Sequence, residues 1–453
     1  MKKKVLSVLL ATTMVATLLT GCGNTAATSD TAAAPAAEAS NDAAAPAAEV
    51  TTEAGGNKLT VAAWDKNFNI PALEAAEADF KANVNPDFEL EILEQGQSSD
   101  VENAITLAGS SGDYSSLPDI VLFQDHYIQR YVADYPDAWV SIDDAGVNWD
   151  NVGAEKASYS TINGVHYGFP VDNGTAIFAY RTDLLAEAGY TMDDVTGCTW
   201  KEFIEIGKAV YAKTGKYLLC MDGDGNDLFY LMMQAEGKSQ WKDGAPYITE
   251  NEDLVTIFNL LVEMAQNNVL YLANDWSDYT DQAITGDMVA GVCNGNWIIP
   301  TIKNVPENSG KWEITSMPTI NGGEGYAANG GSSLYITSNC QNQALAKEFL
   351  AYTFGNGSTA TYDDALRNGG VIGCVSTAAE SSVYQEGVEY FNNQAIYTKI
   401  VEMGSHVPVI EQNDYHYSIR SLLAAALINC VNGADVETEL QNAEDQIKFE
   451  MGL

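Results

Sequence analysis

From Lys58 onward short apolar runs alternate with stretches of helical period, and that alternation narrows the fold more than any other feature of the chain. Lys58-Leu59-Thr60-Val61-Ala62-Ala63-Trp64 is β-rich; Pro71 then opens a helical stretch with Leu73, Ala76 and Phe80 on one face. Phe88-Glu89-Leu90-Glu91-Ile92-Leu93 gives a second strand, with a helix near 101–107 behind it. Asp119-Ile120-Val121-Leu122-Phe123 is a third, apolar enough to be covered on both faces, and it leads into a helix starting around His126. This βαβαβ order predicts a parallel sheet with right-handed crossovers. Ligands of such open sheets bind beyond the carboxyl ends of the strands. The segments there are Trp64-Asp65-Lys66-Asn67-Phe68-Asn69, Gln95-Gly96-Gln97-Ser98-Ser99 and Gln124-Asp125-His126-Tyr127. Turn and N-cap chemistry would also choose any one of them, but three at one sheet edge point to a site.

Gly168-Phe169-Pro170-Val171-Asp172-Asn173-Gly174 then joins an apolar strand over 175–180 and a helix over 183–188, which reads as a first crossing into a second body. That body, roughly 175–326, is predicted to carry helices over 200–213, 227–234 and 252–267 and two loop clusters, Trp276-Ser277-Asp278-Tyr279 and Asn294-Gly295-Asn296-Trp297. At Gly330-Gly331-Ser332-Ser333-Leu334-Tyr335-Ile336 the chain returns to the first body, and the tail from Tyr415 is helical, with Leu422, Leu423, Ala426 and Leu427 at helix spacing. About 395 of the 453 residues follow the leader and tether described next, more than one core usually serves. Two lobes with one cleft are expected: 58–170 with 330–385, and 171–329 with 386–453.

Ahead of the folded part, Lys2, Lys3 and Lys4 precede an apolar run over 5–19, the layout of a bacterial secretion signal and too short for a comfortable membrane span. Leu19-Thr20-Gly21-Cys22 resembles the lipobox of bacterial lipoproteins, which makes residues 1–21 a removed signal peptide and Cys22 the lipidated anchor. An ordinary secretory signal with an incidental cysteine is the alternative. Residues 22–57, rich in Ala, Thr, Ser, Pro and acids and without Lys or Arg before Lys58, form a tether spanning roughly 30 Å as a flexible coil.

A formal charge of −40 argues against nucleic acid or anionic lipid as a partner, because binding either relies on Lys and Arg displacing counterions. Eight Trp and 23 Tyr suit sugars instead. Cys198, Cys220, Cys293, Cys340, Cys374 and Cys430 show no CxxC or Cys/His metal spacing and read as buried thiols, with disulfides the less favoured option. Asp222-Gly223-Asp224-Gly225-Asn226-Asp227 has the alternating oxygens of an EF-hand loop, but position twelve, which needs a bidentate Glu, is Met233. No metal is expected there; a helix N-terminal loop facing the cleft, with Asp224 or Asn226 near ligand, is preferred.

Several segments, in this order and behind a lipobox, resemble the family 1 extracellular solute-binding proteins of ABC importers, the group of maltodextrin-, multiple-sugar-, lactose-type and xylo-oligosaccharide-binding lipoproteins. They are the opening strand with Trp64-Asp65, Gly164 to Pro170 followed by Phe178 to Leu185, and Met288-Val289-Ala290-Gly291 through Asn296-Trp297. Gly331 to Ile336 before Ala344 to Leu350, and the tail Tyr417-Ser418-Ile419-Arg420 through Leu440, agree. The likeness spans nearly all of 58–449. It implies a two-lobed α/β fold of the periplasmic-binding-protein kind, with a hinge and an interlobe cleft that closes on ligand. It further implies capture of a carbohydrate, an oligosaccharide for preference, and delivery to the permease subunits of an ABC importer, with no catalysis and no cofactor. Members often have Asn before Lys where this chain has Tyr180-Arg181, and His416 stands where maltodextrin binders carry an aromatic residue; both count against maltodextrin as the ligand.

A pyranose offers an apolar C–H face and a rim of hydroxyls, so its site needs flat rings and planar hydrogen-bonding groups. Trp64, Trp276 and Trp297, with Phe68 in the first loop, supply candidate rings; Trp200 and Trp312 read as core. Asp65, Asn67, Gln97, Asp125, Asp172, Asn173, Asp224 and Asn296 are the candidate polar groups, with Gly331 and Ser332 where the chain returns. His126 is either a donor to ligand or a helix-cap residue. An exported glycoside hydrolase is the enzymatic alternative, opposed by the resemblance and by the lack of G-x-S-x-G, HExxH or a P-loop. The same fold holding a polyamine, iron or another solute is the second alternative, and a non-binding adhesion role the third.

Overall fold

The computed structural model describes residues 56–66, 68–221 and 227–453, so the leader and nearly all of the tether lie outside the described residues, as do Asn67 and Asp224. Two α/β bodies are built from interleaved stretches of chain. In the first, the strand order is Glu89–Glu94, Lys58–Ala63, Ile120–Gln124, Ser332–Ile336, Gly168–Asp172. Period-two alternation decides what each face meets. Leu59, Val61, Ile120, Leu122, Leu334 and Ile336 face the core with Leu73, Ala76 and Phe80 of the helix Asn69–Asn83. Ala62, Val121, Phe123 and Tyr335 face the other way, against Val101 and Ile105 of the helix Ser98–Ser111.

Two expectations are corrected here. The sheet is mixed: Lys58–Ala63 is parallel to its neighbours on both sides, but the returning strand Ser332–Ile336 runs antiparallel to Ile120–Gln124 and to Gly168–Asp172. Strand direction is set by where the chain re-enters, and no residue within 332–336 encodes it. The segment read as a crossing loop, Gly168–Asp172, is itself a buried strand. Its Gly, Pro and Asp are turn formers, yet it closes the sheet's edge, where the missing N–H of Pro170 is tolerated.

The second body holds the antiparallel sheet Gly291–Gly295, Ala176–Arg181, Trp312–Thr315, beside a parallel pair Leu219–Met221 and Leu270–Leu272. Ala176, Phe178 and Tyr180 pack into the helical layer, while Ile177 and Ala179 join the cluster that continues under the first sheet. The helix Trp200–Thr214 starts at Thr199, whose hydroxyl accepts from the Glu202 N–H while the Glu202 carboxylate accepts from the Thr199 N–H, and stops at Gly215. Glu252–Gln266 is capped by Asn251. The tail forms His416–Val431 and Val436–Met451, with Ile419, Leu423, Leu427 and Ile447 buried in the same core. Trp200 and Trp312 are core residues. The six described cysteines are free thiols, five of them buried and Cys374 half-buried.

The bodies are joined by crossings at 173–175 and 328–331, which lie side by side: Thr175 bridges Ala328, and the Asn329 N–H donates to the Gly174 carbonyl at 2.9 Å. Gly174 has φ 58°, and a Cβ there would sit 2.3 Å from the Asn329 carbonyl oxygen, so the contact between the crossings requires glycine.

Candidate functional site

A cavity of about 560 Å³ opens at the sheet edge where the strands Lys58–Ala63, Ile120–Gln124 and Gly168–Asp172 end. From that edge come Trp64, Asp65 and Phe68, then Gln124 and Asp172, then Gly331 and Ser332 at the start of the antiparallel strand. Across from them stand Trp276, Trp297 and Asp227, and the first turns of the tail helix contribute Tyr417 and Arg420. Asn329 and Gly330, in one crossing, complete the back.

The two tryptophans of the second body form a tilted pair, ring centroids 5.7 Å apart at 41°. Trp297 is fixed: its indole N–H donates to the Asn329 carbonyl at 2.8 Å. A Cβ at Gly295 would fall 2.3 Å from that indole nitrogen, so the glycine makes room for the ring. Trp276 is 44% exposed and leans on Tyr279, at 5.3 Å, in the π-helical turn Asp278–Ile284.

The polar wall is preorganised by a buried network behind it. Asp172 accepts at Oδ1 from the Ser332 N–H (3.0 Å) and hydroxyl (2.6 Å). Asp125 is not in the wall; it accepts from Lys156 (2.5 Å) and Ser333 (3.0 Å), and Lys156 also donates to the Ser332 carbonyl at 2.7 Å. Burial pushes the Asp125 carboxyl up to about 6, against the pull of Lys156. Glu155, pushed up by burial to about 7, accepts from Gln234 of the second body, whose carbonyl oxygen takes the Ala328 N–H at 2.8 Å.

His126 is likewise behind the wall. It stacks on His416 with centroids 4.4 Å apart, and its Nε2 lies 3.2 Å from the hydroxyls of Tyr159 and Tyr230. His416 Nε2 accepts from Arg420 at 3.2 Å. Burial holds His416 down at about 3; burial first, then His416, Arg420 and Lys156, holds His126 well below its ordinary range. Arg420 forms an ion pair with Asp227, donates to Asn329 Oδ1 at 3.3 Å, and has the Tyr230 and Tyr417 rings 5.4 and 5.3 Å from its guanidinium carbon.

Of the residues expected from sequence, Trp64, Asp65, Phe68, Asp172, Trp276, Trp297, Gly331 and Ser332 line the cavity. Gln97 does not; it is exposed at the start of Ser98–Ser111, where its N–H donates to Asp100. Asn173 and Asn296 are buried beside the wall, each with a carboxamide oxygen that has no hydrogen-bond partner among the described residues.

The arrangement offers rings, amides and carboxylates around a solute-sized space, reached from both bodies. A family model described as bacterial extracellular solute-binding protein matches residues 75–392. The chain belongs to that family of solute-binding proteins. This solute-binding protein is 30% identical over 398 residues to the lactose-binding protein of Rhizobium radiobacter, a match covering 87% of this chain and 93% of that relative. Its fold is similar to that of the sugar-binding protein MalE from Xanthomonas citri (TM-score 0.72, 16% identity, 86% of this chain and 96% of that one). It is similar as well to the ABC transporter associated binding protein from B. animalis subsp. lactis Bl-04 in complex with β-1,6-galactobiose (TM-score 0.65, 19% identity, 87% and 97%). The fold is therefore the two-lobed one, and the family works outside the cytoplasm.

Sequence reasoning missed Gln124, Asp227, Asn329, Tyr417 and Arg420, all in the wall of this solute-binding protein's cavity. For Arg420 a signal existed: it is a lone cation on the apolar face that also carries Leu423 and Leu427, which demands a partner. Gln124 and Asp227 stand at the borders of segments singled out for their neighbours. Asn329 gave no local signal.

Proposed function

We propose that this protein captures a carbohydrate, an oligosaccharide for preference, in the cavity between Trp64 and Trp297 and delivers it to the permease of an ABC importer. The observation that carries the reading is the wall itself. A tilted indole pair offers flat apolar surface to a pyranose face, while Asp65, Asp172, Gln124 and Asn329 offer planar acceptors and donors to its rim. A sugar hydroxyl buried without a partner costs about 1–3 kcal/mol, so such groups select as well as hold. The relative named as lactose-binding, matched over nearly its whole length, supports the same class.

In this reading the lobes are 58–170 with 330–385 and 171–329 with 386–453, and they close about the paired crossings. Asn67 and Asp224 count among the residues proposed to meet the ligand. Residues 1–21 are removed, Cys22 carries lipid, and 22–57 tethers the protein to the outer face of the membrane. Only the closed form presents both lobes' rims to the permease together.

A thermal-shift screen of the protein against lactose, β-1,6-galactobiose, arabinooligosaccharides and their monosaccharides tests the proposal. Ligand at about 100 times its dissociation constant adds roughly 2.7 kcal/mol of stability. A shift with one glycan series is expected, weakened at least tenfold in affinity by Trp297→Ala. Silence with every sugar and a shift with a polyamine, metal ion or peptide would overturn it.

A further inference from the structure

Among the described residues, the side chains in the cavity wall that carry charge at neutral pH are three carboxylates, Asp65, Asp172 and Asp227, and one guanidinium, Arg420. That single cation is already committed. Its Nη2 is paired with Asp227 Oδ1, its Nη1 donates to Asn329 Oδ1 and to His416 Nε2, and two tyrosine rings lie against it. Its partner is committed too, because the other oxygen of Asp227 accepts from Asn294 Nδ2 at 3.3 Å. Arg420 is 2% exposed, so the pair sits in a medium that strengthens Coulomb interactions and makes an unpaired charge costly. Lys156, another buried cation, is behind the wall and taken by Asp125.

We infer that the site admits neutral sugars and rejects sugars that bear a carboxylate, and that the Arg420–Asp227 pair makes the distinction. The inference rests on the carbohydrate reading above. A neutral sugar's hydroxyls donate to the wall carboxylates. A uronic acid brings a negative charge among Asp65, Asp172 and Asp227, and the only guanidinium could meet it only by releasing Asp227, which would then be left buried and unpaired. Sequestering the arginine thus removes from the cavity the fork that most often binds carboxylates.

The test compares matched pairs by isothermal titration at pH 7 with the full chain: lactose and β-1,6-galactobiose, each against its counterpart whose terminal galactose C6 is oxidised to a carboxylate. The neutral member is expected to bind at least tenfold more tightly. Equal or tighter binding of the uronic form overturns this inference and leaves the carbohydrate reading standing; binding of neither member of any pair, nor of any other sugar, removes both. Asp227→Asn, checked for folding by its melting temperature, uncouples the arginine and is expected to raise the ratio of acid to neutral affinity at least tenfold. An unchanged ratio in a folded variant that still binds neutral sugar assigns the pair a structural role alone and overturns its part in selection. Should the variant not fold, the wild-type pairs decide.

Discussion

His416 must stay uncharged for the wall to hold, since it stacks on His126 and accepts the Arg420 guanidinium hydrogen bond. Its folded value of about 3 lies below the ordinary 6.5, so the unfolded chain binds a proton that the folded one refuses. Stability from this residue is complete above pH 6.5 and is lost as pH falls toward 3; at pH 4.5 the loss amounts to about 2–3 kcal/mol. Asp125 and Glu155, raised to about 6 and about 7, act in the opposite sense, because the folded state keeps their protons after the unfolded chain has released them. Comparing His416→Gln with wild type cancels those two. Urea denaturation at pH 6.5 and pH 4.5 should show the variant losing about 2–3 kcal/mol less between the two conditions; an equal loss would mean that His416 titrates freely. At this scale Trp64, Trp276 and Trp297 were legible because each ring stands beside polar residues at the end of a strand or in a loop. Lys156 and Arg420 were not placed, because what makes a buried cation tolerable is a partner far along the chain.

At the scale of elements, the paired crossings both join the two bodies and shape the cavity wall, because the Asn329 carbonyl that holds the Trp297 indole belongs to the segment touching Gly174. Gly174→Ala adds a methyl group at positive φ against that carbonyl. Gly164, also at positive φ (79°), has nothing within 4 Å of an added Cβ and isolates the conformational part of the cost. Gly164→Ala is expected to cost about 1–2 kcal/mol, the price of a left-handed residue, and Gly174→Ala at least about 1–2 kcal/mol more. Equal costs in chemical denaturation would show that the crossings yield. Helices over 200–213, 227–234 and 252–267 fall within a residue or two of the structure, since caps such as Thr199 with Glu202 and a stop at Gly215 are written locally. Edge strand Gly168–Asp172 was hidden by its turn-forming residues, and the direction of Ser332–Ile336 by having no local determinant.

At the scale of the molecule, the order of segments carried the family, because each is weak alone and their succession is not shared by chance. A solute receptor that feeds an importer gains from staying beside it, and the proposed lipid on Cys22 does that. Cys22→Ser in the producing cell should move the protein from the membrane to the soluble fraction in a detergent phase partition; retention on the membrane would refute the anchor. The first sheet has a further consequence for how the protein comes into being. Its strand Ser332–Ile336 lies between Ile120–Gln124 and Gly168–Asp172, so the sheet keeps a gap until the chain has passed through the intervening residues 173–331 and returned. A polypeptide emerging from its N-terminus therefore cannot finish its first half before most of its length is available, and contacts so distant in sequence make folding slow. The last strand to reach the first sheet is the one that begins with Ser332, so closure of the sheet and assembly of the Asp172–Ser332 wall are one late event.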